Sequence, residues 1–196
     1  MNSEVIYDYI QLSEVHPESE DVIIVKGYAN KYKWQGEVEI DSHGSSFLPS
    51  AYELEAYSLN PVILYMHDVH QPVGKCLVIK MTGDGLYIEA AIYKDVNASV
   101  FNAVKNGVLN GFSIGIDIKS EQYSEILDAW IVSSGELIEI SLVTTPSNTK
   151  SVVENVDLCS LGACQVLRTR EVKEKRSKDL DKAILKEMVL KALNKD

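Results

Sequence analysis

The segment Asn60-Pro-Val-Ile-Leu-Tyr-Met-His-Asp68 places a histidine directly after a short apolar run. An apolar run that follows a proline and ends in polar residues is typical of a buried strand. His67 therefore lies where the predicted strand leaves the core. A histidine held there by rigid backbone can still reach a substrate, which suits a general base. The alternative interpretation is that His67 only ends the strand.

A second segment, Gly111-Phe-Ser-Ile-Gly-Ile-Asp-Ile118, alternates apolar and small or polar residues. Period two predicts a half-buried strand with its apolar side chains on one face. Ser113 lies on the opposite face, and glycines stand two positions away on either side. Small neighbours allow another backbone or a substrate to come close to this serine.

A third segment, Glu136-Leu-Ile-Glu-Ile-Ser-Leu-Val143, alternates in the same way. Period two puts Ile138, Ile140 and Leu142 on one face and Glu139 on the other. A carboxylate within so apolar a strand must be exposed to water or paired with another group.

Length and composition indicate one globular domain with an appendage. The chain has 196 residues, of which 45% are hydrophobic, enough for a substantial core. No apolar run approaches the roughly 20 residues that span a bilayer, and the N-terminus lacks the pattern of a secretory signal. Three cysteines, an odd number, argue against a disulfide framework and favour a reducing cytoplasm.

The charge is distributed unevenly along the chain. The formal net charge is −10, yet residues 168–196 hold 10 Lys/Arg and 6 Asp/Glu, a net charge of +4. The remaining residues, 1–167, then carry a net charge of −14. So acidic a body is not expected to bind nucleic acid directly. The basic tail is expected to dock on an acidic surface, the body itself being one candidate.

Short strands joined by turns dominate the rest of the pattern. Strands are predicted over residues 21–29, 37–41, 73–81, 86–93 and 129–132, loops over 30–36, 68–72 and 119–128, and a turn over 133–135. Helices are predicted over 47–57, after the N-cap residue Asn97, and over 179–193. The predicted organisation is a flexible lead-in over residues 1–20, a catalytic domain over 21–154 and a charged helical tail over 155–196.

His67, Ser113 and Glu139 stand on three separate predicted strands. Base, nucleophile and a third group that orients the base form the constellation of acyl transfer, which occurs in any chain order. Spacing alone does not bring the three together, and each has an alternative interpretation. Ser113 could be a small residue at a crowded strand crossing. Glu139 could face water beside Lys119 or Lys150.

A metal site is a second chemical hypothesis. His67, Asp68 and His70 could ligate a metal, but no fourth ligand is spaced to complete the set. Cys159 and Cys164 lack a second pair, so a zinc site is not expected there. The chain has no glycine loop that would hold a phosphate, because Gly83-Asp-Gly85 reads as a turn between strands. No cofactor is expected.

Several short motifs, in this order, resemble the prohead (capsid maturation) proteases of tailed phages, a family related to the herpesvirus assemblin serine proteases. The resemblance covers about residues 20–150. Its motifs are Gly27-Tyr-Ala29, Asp41-Ser-His-Gly44, Phe47-Leu-Pro49, Met66-His-Asp68, Pro72-Val-Gly74, Asp84-Gly-Leu86, Gly107 through Gly115, and Glu139 through Pro146 followed by Asn148. The chain departs from the family in having Ser147 where a small alanine is usual.

The resemblance implies a role for each candidate residue. His67 would be the general base, Ser113 the nucleophile and Glu139 the third member of the triad. The implied fold is α+β, mainly β: a small, mostly antiparallel β-barrel with a few helices around it, to which this chain adds a helical tail.

The resemblance also implies a biological setting. The substrates would be the phage scaffold protein, the major capsid protein and often the protease itself. Cleavage would take place in the host cytoplasm, inside the assembling procapsid, with self-association and with neither nucleic acid nor membrane as a partner. The rival hypothesis is a non-catalytic assembly protein that binds scaffold with the same fold.

Overall fold

Strands make up most of the structure. The computed structural model of the chain describes residues 6–11 and 21–158. The strands are β1 Ile6–Gln11, β2 Val22–Lys31, β3 Lys33–Trp34, β4 Glu37–Val38, β5 Ser45–Phe47, β6 Tyr52–Glu53, β7 Val62–Tyr65, β8 Asp68–Thr82, β9 Gly85–Tyr93, β10 Gly111–Ser124, β11 Ala129–Val143 and β12 Val153–Leu158. The helices are α1 Glu55–Leu59, α2 Ala98–Lys105 and a 3₁₀ turn at Pro49–Ala51.

One large sheet positions all the candidate residues. Its strands follow the order β10-β11-β7-β8-β9-β2-β12, with β1 beside β8 and both β5 and β6 beside β11. Most pairs are antiparallel, but β7 runs parallel to β11. The mainly β fold with few helices is as predicted, and β10, β11 and β7 lie side by side.

The predicted small β-barrel is not closed by strand pairing within the described residues. Within residues 21–158 no strand ladder joins β10 to β12 at the two ends of the sheet. A single antiparallel bridge between Gly111 and Val152 links the two ends. The Phe112 N–H donates to Ser151 O at 2.9 Å, and the Val153 N–H donates to Asn110 O at 2.8 Å. The chain turns toward β2 after this bridge, so the contact does not lengthen into a ladder.

The helix predicted over residues 47–57 is also wrong. Ser45–Phe47 pairs in parallel with residues 130–132 of β11, and Tyr52 and Glu53 pair with Gly135 and Glu136. Pairing with a long neighbouring strand overrides a local helical preference. Only the 3₁₀ turn and the five-residue α1 remain helical, and Pro49 begins that 3₁₀ turn.

Two predicted loops and one predicted turn are strand instead. Residues 68–72 belong to β8, residues 119–124 extend β10, and residues 133–135 lie within an unbroken β11. Their side chains are largely exposed. A strand with little burial lacks the alternating apolar pattern by which strands are recognised.

Other local predictions are confirmed. The turn at Thr82–Gly85 joins β8 to β9 as a hairpin, with the Gly85 N–H donating to Thr82 Oγ1 at 3.1 Å. Asn97 caps α2, because its Oδ1 accepts from the Val100 N–H at 3.1 Å. Gly107 follows the helix with a φ of +69°, a conformation in which glycine is favoured.

Two described strands extend beyond the predicted catalytic domain, residues 21–154. The segment predicted as a lead-in contains β1, which pairs with β8. Strand β12 pairs with β2 and continues to Leu158, past the predicted domain end at residue 154. The predicted helix over residues 179–193 lies outside the described residues.

The main core packs strand residues of the sheet against α1, α2 and the 3₁₀ turn. Its fully buried side chains include Ile23, Ile63, Ile88, Phe112 and Leu142. Among the described residues, no helix has the length and apolar character needed to cross a membrane.

Candidate active site

His67 lies in a two-residue turn between β7 and β8. Tyr65 and Asp68 are paired across the turn, and Met66 and His67 have φ values of +56° and +61°. Positive φ at both central residues is the signature of the type I′ hairpin turn, which usually contains asparagine and glycine. Two residues with side chains there cost about 1–3 kcal/mol each. Backbone strain of this kind is concentrated at functional sites.

Glu139 holds the His67 ring. Glu139 Oε1 lies 2.6 Å from His67 Nδ1, and the Glu139 side chain is only 15% exposed, whereas the His67 side chain is 45% exposed. Because a carboxylate only accepts hydrogen bonds, we assign the proton to Nδ1. The neutral ring then presents a lone pair at Nε2, the arrangement that a general base requires. Lys119, which the sequence offered as a possible neighbour of Glu139, forms ion pairs with Asp117 and Glu136.

Ser141 connects the same two residues a second time. Its hydroxyl donates to Glu139 Oε2 at 2.6 Å and accepts from the His67 N–H at 3.1 Å. The Ser141 side chain is fully buried. Ser141 is not among the site residues predicted from the sequence, although its position two residues after Glu139 puts it on the same strand face.

A β-bulge at Ile138 immediately precedes Glu139 on β11. Gly115 pairs with Glu139 and Ile116 pairs with Leu137, so Ile138 has no partner on β10. A bulge inserts one extra residue and reverses the alternation of faces beyond it. Leu137 and Ile140 are both fully buried, whereas Ile138 is 55% exposed. The predicted common face of Ile138, Ile140 and Leu142 is therefore wrong at Ile138.

Gly115 leaves room for the carboxylate. A Cβ atom at this position would lie 2.7 Å from Glu139 Oε1 and 3.0 Å from its Cγ. Real Cβ atoms do not approach other atoms so closely, so the Glu139 side chain can lie across β10 only because residue 115 is glycine.

Ser113 lies on the same face as these groups. It pairs with Ser141 across β10 and β11, and directly opposed residues of an antiparallel pair share a face. Ser113 is 6% exposed. Ser113 and His67 both line one cleft of about 540 Å³. Among the described residues, no hydrogen bond joins Ser113 to His67, and catalytic contacts of this kind often tighten only when a substrate binds.

The loop after β11 completes the cleft. Asn148 is 7% exposed, and its Nδ2 donates to Asn30 Oδ1 at 3.0 Å and to Lys31 O. Asn148 Oδ1 accepts from the Lys150 N–H at 3.0 Å. These bonds attach the loop to β2, so Thr145 and Pro146 line the cleft. Asn148 belongs to the motifs that carry the family resemblance, but the sequence did not indicate what this residue does.

The alternative metal site is not supported by the arrangement of its residues. Asp68 Oδ1 accepts from the His70 N–H at 2.9 Å, and Oδ2 accepts from Gln71 Nε2 at 2.8 Å. The pKa of Asp68 is lowered, mainly by the hydrogen bond from the Gln71 side chain and secondly by the one from the His70 N–H. Both carboxylate oxygens are thus used within the hairpin. In the part of the chain that the structure describes, no three histidine, cysteine or acidic residues are grouped as metal ligands.

The Cys76 thiol is poorly suited to nucleophilic attack. Its thiol is fully buried in the core, and burial is the main reason that its pKa is raised to about 12. A thiol that stays protonated is a poor nucleophile.

Comparison with known proteins identifies the family. The sequence description of the Caudovirus prohead serine protease family matches residues 10–164, more than three quarters of the chain. The chain belongs to this family. The family resemblance inferred from the sequence is thereby confirmed for the prohead serine proteases.

Two phage proteins are similar in sequence to this prohead serine protease family member. A prohead protease of Escherichia phage T5 is 35% identical over 136 residues, which are 67% of this chain and 62% of that protein. A capsid polyprotein of Pseudomonas phage PAJU2 is 26% identical over 103 residues, which are 47% of this chain and 15% of that protein. The chain thus matches somewhat under two thirds of the first relative's length.

A solved structure of KSHV protease in complex with a hexapeptide phosphonate inhibitor overlaps the family member in part. The TM-score is 0.37 at 16% sequence identity, over 67% of this chain and 63% of the other.

Proposed function

We propose that this chain is a serine endopeptidase of phage prohead maturation. The observation that carries the proposal is the 2.6 Å contact of His67 Nδ1 with Glu139 on the sheet face that also carries Ser113. Family membership supports the same reaction. His67 is the general base, Ser113 the nucleophile and Glu139 the third member of a Ser-His-Glu triad.

The geometry suits acyl transfer in two steps. His67 Nε2 takes the Ser113 proton while Oγ attacks the peptide carbonyl, and the imidazolium then protonates the leaving amine. Water repeats the sequence on the acyl-enzyme and releases the acid. Glu139 keeps the proton on Nδ1 and stabilises the imidazolium charge in both steps. No step requires a cofactor.

An extended substrate peptide fits beside β10. The Phe112 N–H points to the outer edge of β10, where it bonds Ser151 O. Polar groups of alternate residues point the same way, so the N–H groups of Ile114 and Ile116 face that edge too. Within the described residues no strand covers β10 beyond this point, and both isoleucines line the cleft. A peptide can therefore add as a further strand with its scissile bond near Ser113.

The substrates in this proposal are the phage scaffold protein, N-terminal segments of the major capsid protein and the protease itself. The relatives that match this chain are a prohead protease and a capsid polyprotein. These names support action on capsid components. The site of action is the interior of the assembling procapsid in the host cytoplasm, where self-association raises the local concentration of protease. Neither nucleic acid nor a membrane takes part.

The test is cleavage of co-expressed scaffold and capsid protein, followed by intact mass. Ser113→Ala and His67→Ala are expected to abolish the products, which amounts to a loss of at least 10⁴-fold for removal of a triad member. His70→Ala is the matched control: it lies three residues from His67 on β8 and should leave the products unchanged. The same reaction is repeated with a chelator, and products that persist in its presence would exclude a metal hydrolase.

Two outcomes contradict the proposal. Equal products from the wild-type and Ser113→Ala proteins would place the nucleophile elsewhere. No products from any variant, at protein concentrations matching those within a procapsid, would favour the non-catalytic assembly role.

A further inference from the structure

One buried hydroxyl fixes the proposed base in two ways. Ser141 Oγ donates to Glu139 Oε2 at 2.6 Å and accepts from the His67 N–H at 3.1 Å. The first bond acts on the carboxylate that holds the His67 ring. The second acts on the backbone of His67 itself. The Ser141 Oγ atom of β11 therefore constrains the His67 ring, through Glu139, and also the His67 backbone.

Burial makes this arrangement difficult to replace. Ser141 is 0% exposed, so water cannot readily take over the two hydrogen bonds if the hydroxyl is removed. Glu139 uses both carboxylate oxygens, Oε1 for His67 and Oε2 for Ser141. Without Ser141 the carboxylate keeps one partner and is free to rotate about its last bond.

The turn that carries His67 makes such a constraint necessary. Met66 and His67 both have positive φ, a conformation that is energetically unfavourable for residues with a Cβ atom. The Met66 N–H donates to Leu142 O at 2.9 Å, and the His67 N–H donates to Ser141 Oγ. These two bonds to β11 hold the strained turn at its central residues.

We propose that Ser141 is a positioning residue of the peptidase, setting the tautomer and orientation of His67 through Glu139 and through the His67 backbone. The inference rests on the proposed function in that His67 acts as the base. Ser141 itself does not touch the substrate. Its effect is on chemistry after binding, because the peptide contacts Ser113 and β10 instead.

The kinetic test compares two serines of β11. Ser141→Ala is expected to lower kcat by about 10–100-fold, with KM changed less than about twofold. Ser133→Ala is the matched control, because among the described residues its exposed hydroxyl bonds Ser120 alone, and kcat should stay at the wild-type level. Ser141→Thr keeps a hydroxyl and should recover most of the activity. Ser141→Cys fills the same space with a poor donor and replaces Ser141→Ala if that variant does not fold.

A second readout is independent of catalysis. Nitrogen NMR of histidine-labelled Ser113→Ala protein, with the His67 signals assigned by His67→Gln, reports which ring nitrogen carries the proton. Neutral His67 should be protonated at Nδ1 when Ser141 is present. In the Ser113→Ala/Ser141→Ala protein a substantial fraction should shift to protonation at Nε2. The Ser133→Ala change should leave the tautomer unaltered.

The two readouts separate the possible failures. An unchanged tautomer after Ser141→Ala overturns the positioning role even if kcat falls, and so does an unchanged kcat. A tautomer change in a protein that shows no Ser113-dependent cleavage would support the positioning role and reject the proposed function.

Discussion

At the scale of single residues, the turn formed by Met66 and His67 departs from local conformational preference. Met66 and His67 occupy positions where a type I′ turn favours asparagine and glycine, at a cost of about 1–3 kcal/mol for each residue. His67 could be selected as a candidate from its place after an apolar run. Its φ of +61° could not be predicted, because the dipeptide Met-His is not a turn signal in a sequence.

Gly115→Ala is expected to lower activity without unfolding the protein. The new Cβ would lie 2.7 Å from Glu139 Oε1, and the carboxylate, as the flexible partner, would move away from His67. We expect kcat to fall about 10–100-fold, as for other displacements of about 1 Å at a catalytic group. The free energy of unfolding, measured in urea, should change by less than about 1 kcal/mol.

Gly83→Ala is the control for this substitution. A Cβ at Gly83, in the turn between β8 and β9, would meet no atom within 4 Å. Both activity and unfolding should remain as in the wild type. If Gly115→Ala kept wild-type kcat, the close contact with the Glu139 carboxylate would not matter for catalysis.

At the scale of elements, the bulge in β11 decides which side chains are buried. Strict alternation predicts Ile138 in the core with Ile140. The extra residue breaks the alternation, so Leu137 and Ile140 are buried and Ile138 is exposed. A bulge depends on how two strands pair, and the sequence of one strand does not show it.

Alanine substitutions at these neighbouring positions test the bulge. Leu137→Ala should reduce the free energy of unfolding by about 2–5 kcal/mol, because it opens a cavity in the core. Ile138→Ala should change it by no more than about 0.5 kcal/mol, since its side chain is 55% exposed. Urea denaturation of both variants is the measurement. The reverse order of the two effects would mean that β11 alternates regularly and that the bulge is absent in solution.

At the scale of the whole molecule, one close approach brings the two ends of the sheet together. Gly27 of β2 faces the chain before β12, and a Cβ there would lie 2.1 Å from Val152 O. Val152 also forms the bridge to Gly111 at the start of β10. Residue 27 therefore has to be glycine for β2, β12 and β10 to meet.

Gly27→Ala should destabilise the fold as a whole. The clash is with backbone, so the strands must separate, at a cost of about 1–3 kcal/mol or more. A lower urea midpoint with an unchanged slope is expected, because stability falls while the unfolded state stays the same. Gly83→Ala again serves as the comparison. Equal midpoints for the two variants would show that the approach of Val152 to Gly27 contributes nothing to stability.

The sequence by itself determined the mainly β class, the β8–β9 hairpin, the cap of α2 and the family. Each depends on a pattern that is local along the chain: alternation, a turn motif, a capping residue or a series of short motifs. His67, Ser113 and Glu139 could also be selected in this way, because polar residues stand out within apolar strands.

The tertiary structure decided how those residues are related in space. The Glu139 contact with His67 joins residues 72 positions apart, and Ser141, Gly115 and the Ile138 bulge gain their meaning only from strand pairing. The length of the β10–β11 hairpin was likewise missed, because exposed strands lack the apolar alternation of buried ones. The barrel that the resemblance implied is not closed by strand pairing within the described residues. Hydrogen bonding between distant strands carries no signal within any one strand.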